Sequence, residues 1–419
     1  MTSSSRPPSR HSGPPPDLFA HAGGERLPLR PPGALVPLGE FRLHDLEAVR
    51  LVLRGRSVID WHRLDFENEA QARRLIENHE LSVDSPDDRQ FMEQVQVEAV
   101  AYLRRNFSFA IPRPVERASL TELLMLASGK GHRQMCACTI LKCMHIINHM
   151  TARELLFRLP VSDKDLFHLV EEKVYRVVGT MLSGGFPITE FIGGRKNLDS
   201  TYTKLLSKDE STAAALYDKL RFRIVTRTQR DILPILLYLT DNLFPFNYVV
   251  PGESANTLFH FATFCAGEAH LAPMIERFQG VPDSATDAAE NRFSAKNYRV
   301  IHFVAEVPVR VPAHIMEAAQ PGAEGLGPIV YVLCEFQMLD AETDSKNEVG
   351  DASHEAYKRR QRDAVARRLR LGASVEPRVS SSPYNEPPLP EGFAGDGLGS
   401  SPAHELPSDP GVGGSEKRG

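Results

Sequence analysis

Glutamate, glutamine, arginine and histidine recur on one side of three separated apolar stretches in the second half of this 419-residue chain. In Leu333-Cys334-Glu335-Phe336-Gln337-Met338, strand alternation puts Glu335 and Gln337 on one face. The other face reads Val330, Val332, Cys334, Phe336 and Met338, an unbroken apolar strip. In Tyr298-Arg299-Val300-Ile301-His302-Phe303, Tyr298 and His302 lie opposite Ile301, Phe303, Ala305 and Val307. In Leu220-Arg221-Phe222-Arg223-Ile224, both arginines lie opposite the three apolar residues. Three such strands predict a sheet with one core face and one face bearing Arg, Arg, Tyr, His, Glu and Gln. That set suits the holding of phosphates, a base and a metal ion, the work of a nucleotide-handling enzyme.

Phosphoryl transfer depends mostly on positioning and charge stabilisation. A Mg²⁺ ion bridging donor oxygens needs only one or two protein carboxylates. Asp218, just before the first strand, and Glu335, on the third, are the candidates for catalysis and for the metal, with Gln337 orienting its neighbours. Lys196 and Lys204 fit phosphate clamps, and Ser200 lies one helical turn from Lys204. Arg223 shares a face with Arg221 and can grip a phosphate through two parallel bonds. His302 can donate to a phosphate or a ribose. His354 and Lys358 are spaced for one face of a basic helix.

Other clusters carry less. Cys136, Cys138, Cys143, His145 and His149 lack the C-x₂-C spacing of zinc sites and read as a buried helix. Gly129-Lys130-Gly131 lacks the frame of a P-loop.

The elements that must position these residues form an α+β chain. Residues 1–35 and 372–419 are rich in Pro, Gly and Ser, with too few apolar side chains to offset ordering entropy, so both tails are expected to be disordered. Residues 36–185 read as a helical domain, with an amphipathic helix over 87–105 and another that Asp163 can cap. Gly184-Gly185 and Gly193-Gly194 break the helical pattern. Residues 186–371 read as mixed helix and strand. Helices are expected at 199–208, 211–218, 229–243 and 352–370, a helical piece near 255–275, and strands at 220–226, 298–309 and 328–339.

Net charge is -5, which argues against a general nucleic-acid coat. No apolar run approaches the roughly 20 residues of a membrane span, and the N-terminus has no apolar core of a secretory signal. Five cysteines without a paired pattern suit a reducing cytoplasm.

The order Lys196…Ser200-Thr201-Tyr202-Thr203-Lys204, Tyr217-Asp218-Lys219-Leu220-Arg221-Phe222-Arg223-Ile224, Asn297-Tyr298-Arg299-Val300-Ile301-His302, Glu335-Phe336-Gln337 and His354-Glu355-Ala356-Tyr357-Lys358 resembles the synthetase domain of RelA/SpoT-type alarmone synthetases over roughly residues 190 to 365. The resemblance implies a nucleotidyltransferase-like mixed sheet flanked by helices. It also implies transfer of pyrophosphate from ATP to the 3′-hydroxyl of GDP or GTP, the alarmone synthesis of the stringent response. It gives Asp218 the Mg²⁺ role, Glu335 metal binding or activation of the attacking hydroxyl, and Tyr298 the stacking of the acceptor base. The implied partners are ATP and a guanine nucleotide.

The chain departs from the pattern in four places. Gly194 stands where the family has an arginine, with Arg195 one place on as the nearest stand-in. The glycine before Tyr298 is replaced by Asn297, Val300 replaces a serine, and Leu339 replaces a closing arginine. These changes leave room for an adenine-nucleotide or RNA 3′-end acceptor, or for a non-catalytic nucleotide-binding domain. His44-Asp45 stands without the further ligands of the hydrolase domain found in larger relatives, so no hydrolase activity is expected.

Overall fold

The computed structural model describes residues 34–369 apart from 56–57, 60, 62–63, 196, 208–219, 276–294 and 296. Residues 1–33 of the expected N-terminal tail, the whole expected C-terminal tail, the helix expected at 211–218, and Lys196 and Asp218 therefore lie outside the described residues, whereas Leu35 packs partly buried against the core.

The first half is helical, as its periodicity predicts. Its main helices are α1 (Leu43–Arg54), α2 (Glu69–Asn78), α3 (Pro86–Phe107), α4 (His132–Arg158) and α5 (Asp163–Ser183). Local chemistry sets their starts. Ser85 accepts the Asp88 backbone N–H ahead of α3, Pro86 takes the first turn where its missing N–H costs nothing, and two acidic residues face the positive end of the helix. α5 begins one residue earlier than its sequence suggests. Ser162, not Asp163, is the cap, and it exchanges bonds with Asp165 in a capping box.

Among the described residues a five-stranded sheet follows in the order β1-β2-β5-β4-β3. Strand β1 (Ile188–Arg195) leads through α6 (Leu198–Ser207) towards β2 (Leu220–Thr226). Helix α7 (Ile232–Asn242), strand β3 (Ala255–Asn256) and strand β4 (Ile301–Arg310) come next. The series ends with β5 (Ile329–Asp340), α8 (Ala341–Asn347) and α9 (His354–Arg368). β2 and β5 run parallel, and every other pair is antiparallel.

Three sequence expectations change. The glycine pair at 193–194 lies inside β1 rather than ending a pattern. The 255–275 segment begins as the short strand β3 and becomes helical only at Phe261–Ala266 and Ala272–Ile275. Strand β4 starts at Ile301, three residues after Tyr298, because residues 298–300 bond to Ala295, Asn347 and Thr257 rather than to the β5 ladder.

The apolar strip of β5 is buried along its length, and Phe336 packs among Phe222, Phe244 and Phe303 at centroid distances of 5.6, 5.3 and 5.2 Å. Helices α5 and α7 lie against this face, and the buried residues of helices and sheet form one continuous apolar cluster. No described helix is long and apolar enough to cross a membrane.

Candidate functional site

Strand register brings the polar side chains of β2, β5 and β4 into adjacent rows. Arg221 pairs with Glu335, and Arg223 pairs with Gln337, which pairs in turn with His302. The alternation read from sequence therefore holds for Arg221, Arg223, Glu335, Gln337 and His302, while Tyr298 precedes β4 and takes no part in the ladder. Gln337 Nε2 donates to Glu335 Oε1 at 2.8 Å, and His302 Nε2 lies 3.3 Å from the same oxygen. Glu335 is only 3% exposed. A carboxylate withdrawn from water costs free energy unless polar groups surround it. Its burial next to Gln337 and His302 removes the reading of Glu335 as an ordinary solvent-facing strand residue.

Two residues that sequence reasoning missed shape the same region. Asp344 forms an ion pair with Arg223. It is delivered by α8, which starts where Asp340 at the end of β5 accepts the Thr343 N–H at 3.1 Å. Asn347 is buried and brackets Arg299, accepting its N–H at 3.1 Å and donating to its carbonyl at 2.7 Å. That fixes the chain beside Tyr298, which is half-buried with its carbonyl accepting from Thr257 Oγ1 at 3.3 Å. The Asp340 cap was a usable sequence signal for α8. The reach of Asp344 back to Arg223 was not, because it depends on how α8 folds over the sheet.

On the other side, α6 packs against α9, and Lys358 Nζ donates to Ser200 Oγ at 2.7 Å. Lys204 is half-buried one turn along α6. Ser200, Lys204 and Lys358 thus converge on one pair of helices. His354 occupies the first turn of α9, half-buried and stacked near Tyr357 with centroids 6.4 Å apart.

Arg195 does not stand in for the missing arginine. It pairs with Leu220 in register, on the core side of the sheet, and both its Nε and Nη2 donate to Glu171 of α5 at 3.0 and 2.8 Å. Gly194 is the residue on the polar side, directly across from Arg221. Shifting a side chain by one strand position moves it to the opposite face. The half-buried Arg221 therefore supplies the cation at this point of the polar face.

His145 and His149 of α4 serve a polar network rather than a cysteine cluster. Asn148 donates to the hydroxyls of Tyr248 and Tyr331 at 3.0 and 2.8 Å, and His79 Nδ1 lies 3.3 Å from the Tyr331 hydroxyl. His145 Nδ1 meets the Asn247 amide at 3.1 Å, and His149 Nδ1 sits 3.0 Å from Glu306. Burial, helped by neighbouring His149 and His145, holds the pKa values of His145 and His79 down at about 3. The bond to Glu306 raises that of His149.

The signs differ. His79 and His145 are neutral in the fold and bind protons on unfolding, so their stability contribution is full above pH 6.5 and lost as pH falls below it. The His149–Glu306 pair stabilises fully below pH 6.5 and weakens as pH rises through the raised folded value. Stability is therefore expected to peak near neutrality. Below pH 6 it should fall by about 1.4 kcal/mol per pH unit for each of the two buried histidines. Urea unfolding at pH 7 and pH 5 measures this, and a His145→Asn variant should lose about half of the slope. An acid limb equally steep in that variant would remove His145 as a source.

Among the described residues no group of three His, Cys, Asp or Glu side chains converges as a metal site. A Mg²⁺ site needs fewer protein ligands, and Glu335 offers the hard oxygen donors such an ion takes. The second carboxylate, Asp218, lies outside the described residues.

No family model matches the chain, and no curated protein matches it. Solved structures do. Small alarmone synthetase 1 from Bacillus subtilis is 16% identical, with 49% of this chain and 86% of that chain covered and a TM-score of 0.26. The same enzyme bound to its product pppGpp gives 15% identity, coverage of 54% and 90%, and a TM-score of 0.25. A GTP pyrophosphokinase family protein from Streptococcus pneumoniae gives 13%, 50% and 90%, and 0.24. At this level of similarity, function has to be argued from the chain's own residues.

Proposed function

We propose that this chain is a pyrophosphotransferase that moves the β,γ-pyrophosphate of ATP to the 3′-hydroxyl of GDP or GTP. The observation that carries the reading is the row formed by Arg221–Glu335 and Arg223–Gln337–His302 across three neighbouring strands, with Glu335 buried within it. The ordered motifs that resemble alarmone synthetases support it.

In the reaction the 3′-oxygen attacks the β-phosphorus, the bond from that phosphorus to the α,β-bridging oxygen breaks, and AMP leaves. Glu335 accepts the hydroxyl proton as the new bond forms. Gln337 and His302 hold the Glu335 carboxylate in place through Oε1. Arg221 and Arg223 face the developing negative charge, with Lys196 and Lys204 completing the phosphate cradle beside Ser200. Tyr298 stacks on the acceptor purine, a contact worth roughly 1–3 kcal/mol. His354 and Lys358 close the acceptor side from α9. Asp218 and Glu335 would hold Mg²⁺, which supplies charge neutralisation on the phosphates. ATP and guanine nucleotides meet in the cytoplasm, where this reaction would run.

Purified protein with ATP, Mg²⁺ and GDP or GTP should yield AMP and a guanosine tetra- or pentaphosphate on nucleotide chromatography. No such product, under conditions where a control synthetase works, overturns the proposal. Labelled product on an adenine nucleotide or an RNA 3′ end would move the reading to that acceptor. Arg221→Gln should raise the KM for ATP by about tenfold, the loss of one charge-assisted contact. An unchanged KM would remove Arg221 from the donor site.

A second reading, nucleotide binding without turnover, draws on the ties of Arg223 to Asp344 and of Lys358 to Ser200, which occupy two of the cations with protein groups. Calorimetric binding of ATP in a protein that makes no product would favour it.

A further inference from the structure

Helix α5 and strand β1 run in step. Phe167, Glu171 and Tyr175 recur every four residues and share one helix face. Phe191, Gly193 and Arg195 recur every two and share one strand face. Four helical residues advance about 6 Å and two strand residues about 6.6 Å, so the two series stay aligned over several contacts.

The contacts follow that alignment in antiparallel order. Tyr175 packs edge-on against Phe191 with ring centroids 5.7 Å apart. Its hydroxyl donates to the Gly193 carbonyl at 3.2 Å. Glu171 takes two bonds from Arg195, at 3.0 and 2.8 Å, and the Arg195 guanidinium lies 5.6 Å from the centre of the Phe167 ring. Gly193 is needed for the close approach, since a Cβ there would come within 2.8 Å of the Phe222 ring and 3.1 Å of the Tyr175 hydroxyl. The Glu171–Arg195 pair is 17% and 29% exposed, bidentate and flanked by an aromatic ring, unlike a solvated surface pair.

We propose that Glu171 is a positioning residue for the donor end of the site. Through Arg195 it fixes the last residue of β1, three before the start of α6, which carries Ser200 and Lys204. The helical first half of the chain thereby sets where the phosphate-clamping segment begins. The catalytic part of this inference rests on the pyrophosphotransferase reading.

The test uses the full chain with Glu171→Gln and with the charge-reversed pair Glu171→Arg/Arg195→Glu. Glu171→Gln should raise the KM for ATP about tenfold with kcat within about threefold, and the reversed pair should recover most of that loss. A merely structural role would instead lower Tm and the amount of active enzyme without moving KM. Hydrogen exchange at the Arg195 and Asn197 amides should rise in Glu171→Gln and fall back in the reversed pair. That readout needs no turnover, so a wild-type chain that makes no product would sink the pyrophosphotransferase reading while the exchange still decides the tether. Unchanged exchange together with an unchanged KM in Glu171→Gln would overturn the proposal.

Discussion

Glu335→Gln is expected to lower the kcat of pyrophosphate transfer by about 10³-fold while leaving the KM for ATP within a few fold. Glutamine has the same shape and keeps an oxygen to accept from Gln337, so the polar row can stay assembled. What disappears is the charge that takes the hydroxyl proton and helps hold the divalent ion. The side chain is almost fully buried, so water has little access to substitute for it. The variant should unfold within about 1 kcal/mol of the wild type, because it exchanges one well-bonded polar group for another of equal volume. Steady-state kinetics beside a urea titration separates the two effects. Activity within tenfold of the wild type in a folded Glu335→Gln protein would remove Glu335 from the chemistry, and the catalytic proposal with it.

The polar row was legible in the sequence because strand alternation is a local rule. Arg221, Arg223, Glu335, Gln337 and His302 needed only a period of two and an apolar strip to mark the opposite face. What the sequence hid is set by register and by chain reversal. Asp344 reaches Arg223 from a helix nine residues beyond Glu335, and no periodicity reveals that return. Strand β1 was masked by its own glycines. Gly193 reads as a break, yet it is where Phe222 and Tyr175 come closest to the backbone. Arg195 looked interchangeable with a cation one place earlier, but in a strand a shift of one is a change of face. Tyr298 precedes its strand for a related reason: Asn347 and Thr257 bind the backbone of the segment that it begins. The buried histidine network was hidden because His79, Asn148, Tyr248 and Tyr331 come from four distant parts of the chain.

Phe336 sits between the two polar members of that row and points the other way, so it supplies the converse result. Phe336→Ala is expected to cost about 3–5 kcal/mol of stability, as for other large aromatic truncations in packed cores. Its ring is 1% exposed and within 5.6 Å, centroid to centroid, of the rings of Phe222, Phe244 and Phe303. These come from β2, the turn just after α7, and β4, so no one neighbour can collapse into the space without leaving its own contacts. Against the 5–15 kcal/mol that stabilises a typical domain, such a loss should lower Tm by roughly 10 °C. Phe336→Leu, which keeps most of the volume, should cost less than half as much. Urea or thermal unfolding of both variants measures the difference. Below its lowered Tm, folded Phe336→Ala should retain kcat within about tenfold, since no reacting group lies on its face. A Phe336→Ala protein as stable as the wild type would mean that this face is not the packed one. The assignment of Glu335 to the chemical face would then fall by the same alternation that produced it.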